Sequence, residues 1–224
     1  WRRSRLKKIG HSVDRMLTLF PFEAAFYREH KVPVSFVGHP LADLIPERVD
    51  AAAARAALHL PAEVPLVALL PGSRAGEVAR LADIFIATVH WCVHHRPGVH
   101  FVVPLANPIT RDIFVHALGR HVGDLPVHLI DGNARQVMAA SDAVLLASGT
   151  ATLEALLLKL PMVVAYRLSS LTYWLAKRLV RLPHFALPNL LAGRALVPEF
   201  LQDAATPTAE VFFQKMTIMM AGRL

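Results

Sequence analysis

One cysteine, Cys92, in 224 residues excludes a disulfide framework and fits a reducing compartment such as the cytosol. No apolar run reaches the ~18 residues a membrane-spanning helix needs, because Pro, Gly, Arg or Lys interrupts each one. Internal repeats and low-complexity tracts are also absent. Charged residues make up 18% of the chain against 54% hydrophobic, which excludes disorder and leaves enough apolar material for one large or two small domains. Position 1 is Trp rather than Met, and no apolar signal region follows the basic segment it opens, so the sequence reads as one that lacks its true beginning. Acidic residues are the scarcer charge, 17 against 24 Lys and Arg, and the formal charge of +7 favours anionic partners: phosphorylated substrates, an acidic membrane surface or nucleic acid. Against nucleic acid, the basic residues are spread over two segments, with no helix-turn-helix, zinc or RNA-binding signature beside them.

What is present alternates between short apolar runs and amphipathic segments. The basic opening, Trp1 to Ile9, has near-helical apolar spacing and reads either as a solvated helix face or as a face for anionic lipid. Residues 16–20 and 34–37 read as strands with a helix opened by Pro21 between them, and 41–50 as a connection between domains. His39 stands where the second of these strands ends in a loop. Beyond residue 50 come a short Ala-rich helix (51–60), strands at 64–70, 99–103, 127–130, 142–147 and 161–165, and helices from about 75, at 111–118, at 135–140 and at 153–160. Further helices are expected from Ser169 or Ser170 through Leu182 and over 207–224. Strands and helices in strict alternation predict an α/β fold, a doubly wound parallel sheet. In such sheets ligands sit at the carboxyl ends of the strands.

Ser148-Gly149-Thr150-Ala151-Thr152-Leu153-Glu154 occupies one of those ends. A glycine, three hydroxyls and the first N–H groups of a helix make a cradle for a diphosphate. Glu154 has Ala151 where a capping box would place Ser or Thr, so its carboxylate is left for another donor, such as a ribose diol. A plain strand–loop–helix joint with a surface Glu fits the same residues. A second strand exit, Pro71-Gly72-Ser73-Arg74, places a guanidinium where it can grip a phosphate with two hydrogen bonds, or else pair with Glu77. Ile130 and Asp131 are read as ending their strand beside the 148–154 turn, where their backbone can meet a nucleotide base. His90, Cys92, His94 and His95 cluster in sequence, but no carboxylate or distant His/Cys pair completes a metal site, so no metal or cofactor is expected.

Taken together, Leu19-Phe-Pro-Phe-Glu23, Phe36-Val-Gly-His-Pro40, Leu69-Leu-Pro-Gly-Ser-Arg74, Leu146-Ala-Ser-Gly-Thr-Ala-Thr-Leu-Glu154 and Leu187-Pro-Asn-Leu-Leu-Ala-Gly-Arg194 resemble the lipid-A-disaccharide synthase family. These are bacterial glycosyltransferases of the two-Rossmann-domain (GT-B) type. The resemblance implies transfer of 2,3-diacylglucosamine from its UDP derivative to 2,3-diacylglucosamine 1-phosphate, an inverting, metal-independent reaction at the inner face of the cytoplasmic membrane. It implies that Ser148, Gly149, Thr150, Ala151 and Thr152 cradle the UDP diphosphate beside Ser73, that Glu154 holds the ribose, that Arg74 neutralises the leaving group, and that Ile130 and Asn189 line the donor pocket. Residues 1–45 then correspond to the last piece of an N-terminal domain that supplies the acceptor site and the general base, and 46–224 to the nucleotide-sugar domain. On that reading the 224 residues bind UDP but transfer little, and a homodimer is left open. Another UDP-sugar enzyme of the same architecture, a UDP-N-acetylglucosamine epimerase or a peptidoglycan glycosyltransferase, is the alternative.

Overall fold

In a computed structural model, residues 4–121, 123–169 and 184–205 are described. The helices expected over 169–182 and 207–224, and the first three residues of the basic opening, lie outside the described residues. Two sheets are present. The first has two parallel strands, β1 (Met16–Thr18) and β2 (Val34–Phe36), paired Met16 to Val34 and Thr18 to Phe36. α1 (Ser4–Ser12) precedes them and α2 (Pro21–Glu29) connects them. Pro21 starts α2 because a first-turn residue needs no N–H partner, and the Glu23 carboxylate accepts the otherwise orphaned N–H groups of Leu19 and Phe20 at 3.2 and 3.0 Å. The connection that follows contains a single helical turn, α3 (Leu41–Leu44), and then α4 (Ala51–Ala57).

The second sheet has six parallel strands: β3 (Leu66–Leu70), β4 (His100–Leu105), β5 (Val127–Asp131), β6 (Ala143–Ala147), β7 (Met162–Tyr166) and β8 (Glu199–Leu201). Their order is β5-β4-β3-β6-β7-β8, so the chain winds outward from β3 in one direction, returns to β6, and winds outward in the other. That reversal is the topological switch point of a doubly wound fold. The central strands are continuous apolar runs because both faces are covered. On one face Val67, Leu69, Leu145 and Val163 pack against α5 (Ala75–His95) and α6 (Pro108–Leu118). On the other, Ala68, Leu70, Val144 and Leu146 pack against α4, α7 (Ala134–Ala140) and α8 (Ala151–Leu157). Val78, Leu81, Phe85 and Val89 form the buried stripe of α5 that their spacing predicts.

Several boundaries differ from the sequence expectation, and three of the differences bear on the site. β4 runs through Pro104 to Leu105, because β3–β4 pairing ends at Ala68 with Val102 and the missing proline N–H therefore breaks no bond to β3. α8 begins at Ala151, two residues earlier than expected, with Thr150 already in helical geometry. Residues 187–202, to which the sequence assigns no helix or strand, hold α9 (Leu187–Ala192) and β8, the sixth strand.

Arg55 of α4 is buried and uses its guanidinium fully. Nε donates to Ala140 O, Nη1 to Ala62 O and Val64 O, and Nη2 to Asp142 Oδ2 at 2.9 Å, while the same Asp142 oxygen accepts Leu66 N–H. Replacing Arg55 with Ala strands several buried carbonyls, and urea unfolding should show a loss of about 2–4 kcal/mol, below the full cost of breaking a buried pair because Asp142 is half-exposed. Where β4 and β5 run side by side, His100 Nδ1 and His128 Nε2 lie 3.1 Å apart with stacked rings. Burial, and secondarily His100, push the His128 pKa down. A lowered histidine pKa favours the folded state above the unfolded value, ~6.5, and that contribution is lost as pH falls below it. The melting temperature should therefore decline less between pH 7 and 5 in a His128→Gln variant than in the unaltered chain.

Candidate functional site

At the carboxyl ends of β3, β4, β5 and β6 lies a cleft of about 630 Å³. The exit of β3 contributes Leu70, Gly72, Ser73 and Arg74, and the exit of β6 contributes Ala147 through Ala151. Pro104, Ala106, Gly132, Asn133 and Ala134 from the β4 and β5 exits complete the wall, with Glu77 and Glu154 facing each other across the opening from the first turns of α5 and α8. Pairing of β3 with β4 ends at Ala68, and beyond it Leu70 and Pro104 line the cleft.

Seven of the ten residues singled out from the sequence line this cleft: Ser73, Arg74, Ser148, Gly149, Thr150, Ala151 and Glu154. Among the described residues, the N–H groups of Gly149, Thr150 and Ala151 have no hydrogen-bond acceptor, while the next N–H, that of Thr152, already bonds Gly149 O. Three adjacent free donors are an arrangement that can bind an anion. Gly149 is not required by the turn, since its φ lies outside the left-handed region and an added Cβ would meet nothing within 4 Å. Its lack of a side chain keeps the donors open to a ligand. The Thr150 hydroxyl is exposed and free of bonds within the described chain, whereas Ser148 Oγ donates to Phe185 O at 3.2 Å and so offers a ligand only its lone pairs.

Three residues are placed elsewhere. Thr152 is fully buried, and its hydroxyl donates to Gly149 O at 2.6 Å, which stabilises the turn from behind. Ile130 stands on the edge strand β5, with β4 and β3 between it and β6, so it is not beside the 148–154 turn; the β5 residues that reach the cleft are Gly132, Asn133 and Ala134. Asn189 is 1% exposed and its amide is saturated: Nδ2 donates to Val197 O and to Glu199 Oε1, and Oδ1 accepts Leu196 N–H and Val197 N–H. It ties the 187–199 segment together from inside.

The two charged residues expected to meet a ligand already have internal partners. Arg74 Nη1 lies 2.9 Å from Glu77 Oε1 with its side chain 82% exposed, a weak surface pair, while Glu77 Oε2 accepts Ser73 N–H. Glu154, expected to have its carboxylate free, receives Nε and Nη2 of Arg135 on Oε1 at 3.2 and 3.0 Å. Arg135 carries no motif in the sequence. Only the packing of α7 beside α8 brings it to a residue 19 positions away. Glu77 explains Gly72 as well: with φ at +126°, an added Cβ at Gly72 would stand 2.6 Å from Glu77 Cβ. The histidines of α5 do not assemble. His90 lies against His121 with tilted rings 5.3 Å apart, burial pushes the Cys92 thiol up to about 12, and no three His, Cys, Asp or Glu side chains cluster for a metal among the described residues.

A cleft with free backbone donors and an arginine at the switch point of a six-stranded parallel sheet defines a doubly wound α/β protein of the Rossmann-like class. Escherichia coli ADP-heptose lipopolysaccharide heptosyltransferase II shares this fold, with a TM-score of 0.57 at 14% identity over 98% of this chain and 81% of that one. The family model for lipid-A-disaccharide synthetase matches residues 1–221, and the chain belongs to that family. It is 55% identical over 207 residues to the lipid-A-disaccharide synthase of Hahella chejuensis, covering 92% of this chain and 52% of that protein. With the enzyme of Alkalilimnicola ehrlichii it shares 59% identity over 209 residues, again 92% of this chain and 55% of the relative. The chain thus spans about half the length of the curated relatives it matches.

Gly72→Ala should lower stability by about 1–3 kcal/mol, from a strained φ together with the clash against Glu77. In chemical denaturation, Gly72→Ala should cost less in a Glu77→Gly background, where the clashing Cβ is gone and only the backbone part of the loss remains.

Proposed function

We propose that this chain is the nucleotide-sugar half of a lipid-A-disaccharide synthase, with residues 46–224 forming the donor domain and residues 1–45 belonging to the domain that meets the acceptor. The observation that carries this reading is the convergence of Arg74 and the three free N–H groups of 149–151 on one cleft at the switch point. A diphosphate there neutralises both sets of donors. Glu154, at the α8 side of the same cleft, accepts ribose hydroxyls, and the donor is UDP-2,3-diacylglucosamine.

In the transfer, a hydroxyl oxygen of 2,3-diacylglucosamine 1-phosphate bonds to the anomeric carbon of the donor from the face opposite the diphosphate. The bond from that carbon to the β-phosphate oxygen breaks, and the hydroxyl proton passes to a general base contributed by the acceptor-side domain. Negative charge grows on the departing UDP, where fixed backbone donors and a guanidinium lower the barrier most effectively because they are in place beforehand. For Arg74 to do this it exchanges Glu77 for phosphate. That exchange costs little, since an exposed i,i+3 pair contributes only ~0.3–0.5 kcal/mol.

The acyl chains of both substrates imply work at a membrane surface, and the net positive charge suits an anionic one. Among the described residues no helix is long and apolar enough to cross a membrane, which agrees with peripheral contact.

Calorimetric titration of UDP tests the reading. Glu154→Ala and Arg74→Ala should each weaken binding by about 1–3 kcal/mol through lost charge-assisted hydrogen bonds. Transfer by the 224 residues alone should fall at least ~10²–10⁴-fold below that of a full-length relative if the general base lies in the other half. Absence of UDP binding both in this chain and in one extended to the relatives' length would overturn the assignment. Consumption of UDP-N-acetylglucosamine in preference to its diacylated relative would point to the epimerase or peptidoglycan reading.

A further inference from the structure

We infer that Arg135 is the positioning residue for Glu154 and so sets how strongly the site selects for ribose hydroxyls; the inference rests on the ribose role proposed above. Both Nε and Nη2 of Arg135 converge on one carboxylate oxygen, Oε1, leaving Oε2 without a partner among the described residues. The two side chains reach that contact from different sides. Glu154 lines the main cleft, whereas Arg135 lines a neighbouring groove with Ile45, Val49 and Leu158, the two depressions meeting at Asn133 and Ala134. Arg135 therefore approaches the carboxylate from the neighbouring groove. It touches no ligand in the cleft, but it fixes which oxygen of Glu154 points there.

This arrangement differs from an ordinary helix-to-helix ion pair in what depends on it. A surface pair between α7 and α8 would contribute a little stability and nothing to ligand choice. A carboxylate held through one oxygen arrives with the other already aimed, so a ribose hydroxyl binds without first ordering the Glu154 side chain, and the benefit is confined to ligands that carry the hydroxyls. Burial supports this division: Glu154 is 19% exposed and depends on its neighbours for orientation, while Arg135 is 43% exposed and can be replaced without opening the core.

The test compares UDP with 2′,3′-dideoxyuridine 5′-diphosphate by calorimetry on the 224-residue chain, for the unaltered protein and for Arg135→Ala, Arg135→Lys and Glu154→Gln, with melting temperatures as a folding check. Arg135→Ala should weaken UDP about fivefold, which equals ~1 kcal/mol, and leave the dideoxy ligand unchanged, so that the preference between them falls by the same factor. Arg135→Lys, with one charged nitrogen in place of a fork, should fall between. The Arg135→Ala, Glu154→Gln double variant should be no weaker for UDP than Glu154→Gln alone. If Glu154→Gln abolishes the preference while Arg135→Ala leaves it intact or weakens both ligands equally, Arg135 is only a structural partner, and this inference fails while the ribose reading survives. If Glu154→Gln leaves the preference unchanged, or the unaltered chain has none, the ribose reading fails and takes this inference with it.

Discussion

Asp142 holds the starts of β3 and β6 together, and the position of the cleft follows from that contact. Its side chain accepts Leu66 N–H, its own N–H donates to Leu66 O, and Arg55 locks the carboxylate from α4 while reaching Ala140 at the end of α7. One ion pair therefore joins two strands that are 76 residues apart in the chain to the helices that cover one face of the sheet. With β3 and β6 fixed side by side, the chain must leave the sheet in opposite directions at their far ends. That divergence opens the cleft.

The cleft is organised by opposite charges that satisfy each other. Glu77 holds Arg74 and Ser73 N–H on the β3 side, and Arg135 holds Glu154 on the β6 side. The two pairs are not equivalent. Arg74 is almost fully solvated, so water competes with its pair and an incoming anion can replace Glu77 at little cost. Glu154 is mostly enclosed, and its partner stands outside the cleft, so that pair can persist while a ligand uses the other carboxylate oxygen. Exchangeable on one side and persistent on the other, the pairs suit the proposed function, in which a diphosphate product leaves while the nucleoside pocket keeps its shape.

The doubly wound sheet was legible in the sequence because buried parallel strands are uniform apolar runs and the α5 stripe repeats at helical spacing. Strand order was not, since periodicity says nothing about which runs become neighbours, and Ile130 was accordingly placed next to a turn from which two strands separate it. β8 escaped notice because a half-buried three-residue edge strand carries almost no pattern of its own. Within the site, residues on strand exits were readable from position alone, whereas the direction of a hydroxyl or amide was not. Thr152 and Asn189 have the right chemistry for a ligand and spend it on Gly149 O and on the 196–199 backbone and Glu199. Arg55 and Arg135, which act through residues 85 to 87 and 19 positions away, leave no local trace.

Those inward-facing polar residues bear on how the site works. Two side chains of the 148–154 turn are turned away from the cleft: Thr152 closes the turn from below, and Ser148 anchors the segment at Phe185, whose N–H donates to Glu199, which in turn accepts from Asn189. Backbone donors cost no side-chain ordering when a ligand arrives, so a cradle built from them loses little entropy on binding. The arrangement also links the cradle to the 187–199 segment through a chain of hydrogen bonds in addition to apolar packing. Changes at Asn189 should therefore reach a bound diphosphate through Phe185 and Ser148, although Asn189 itself never faces the cleft.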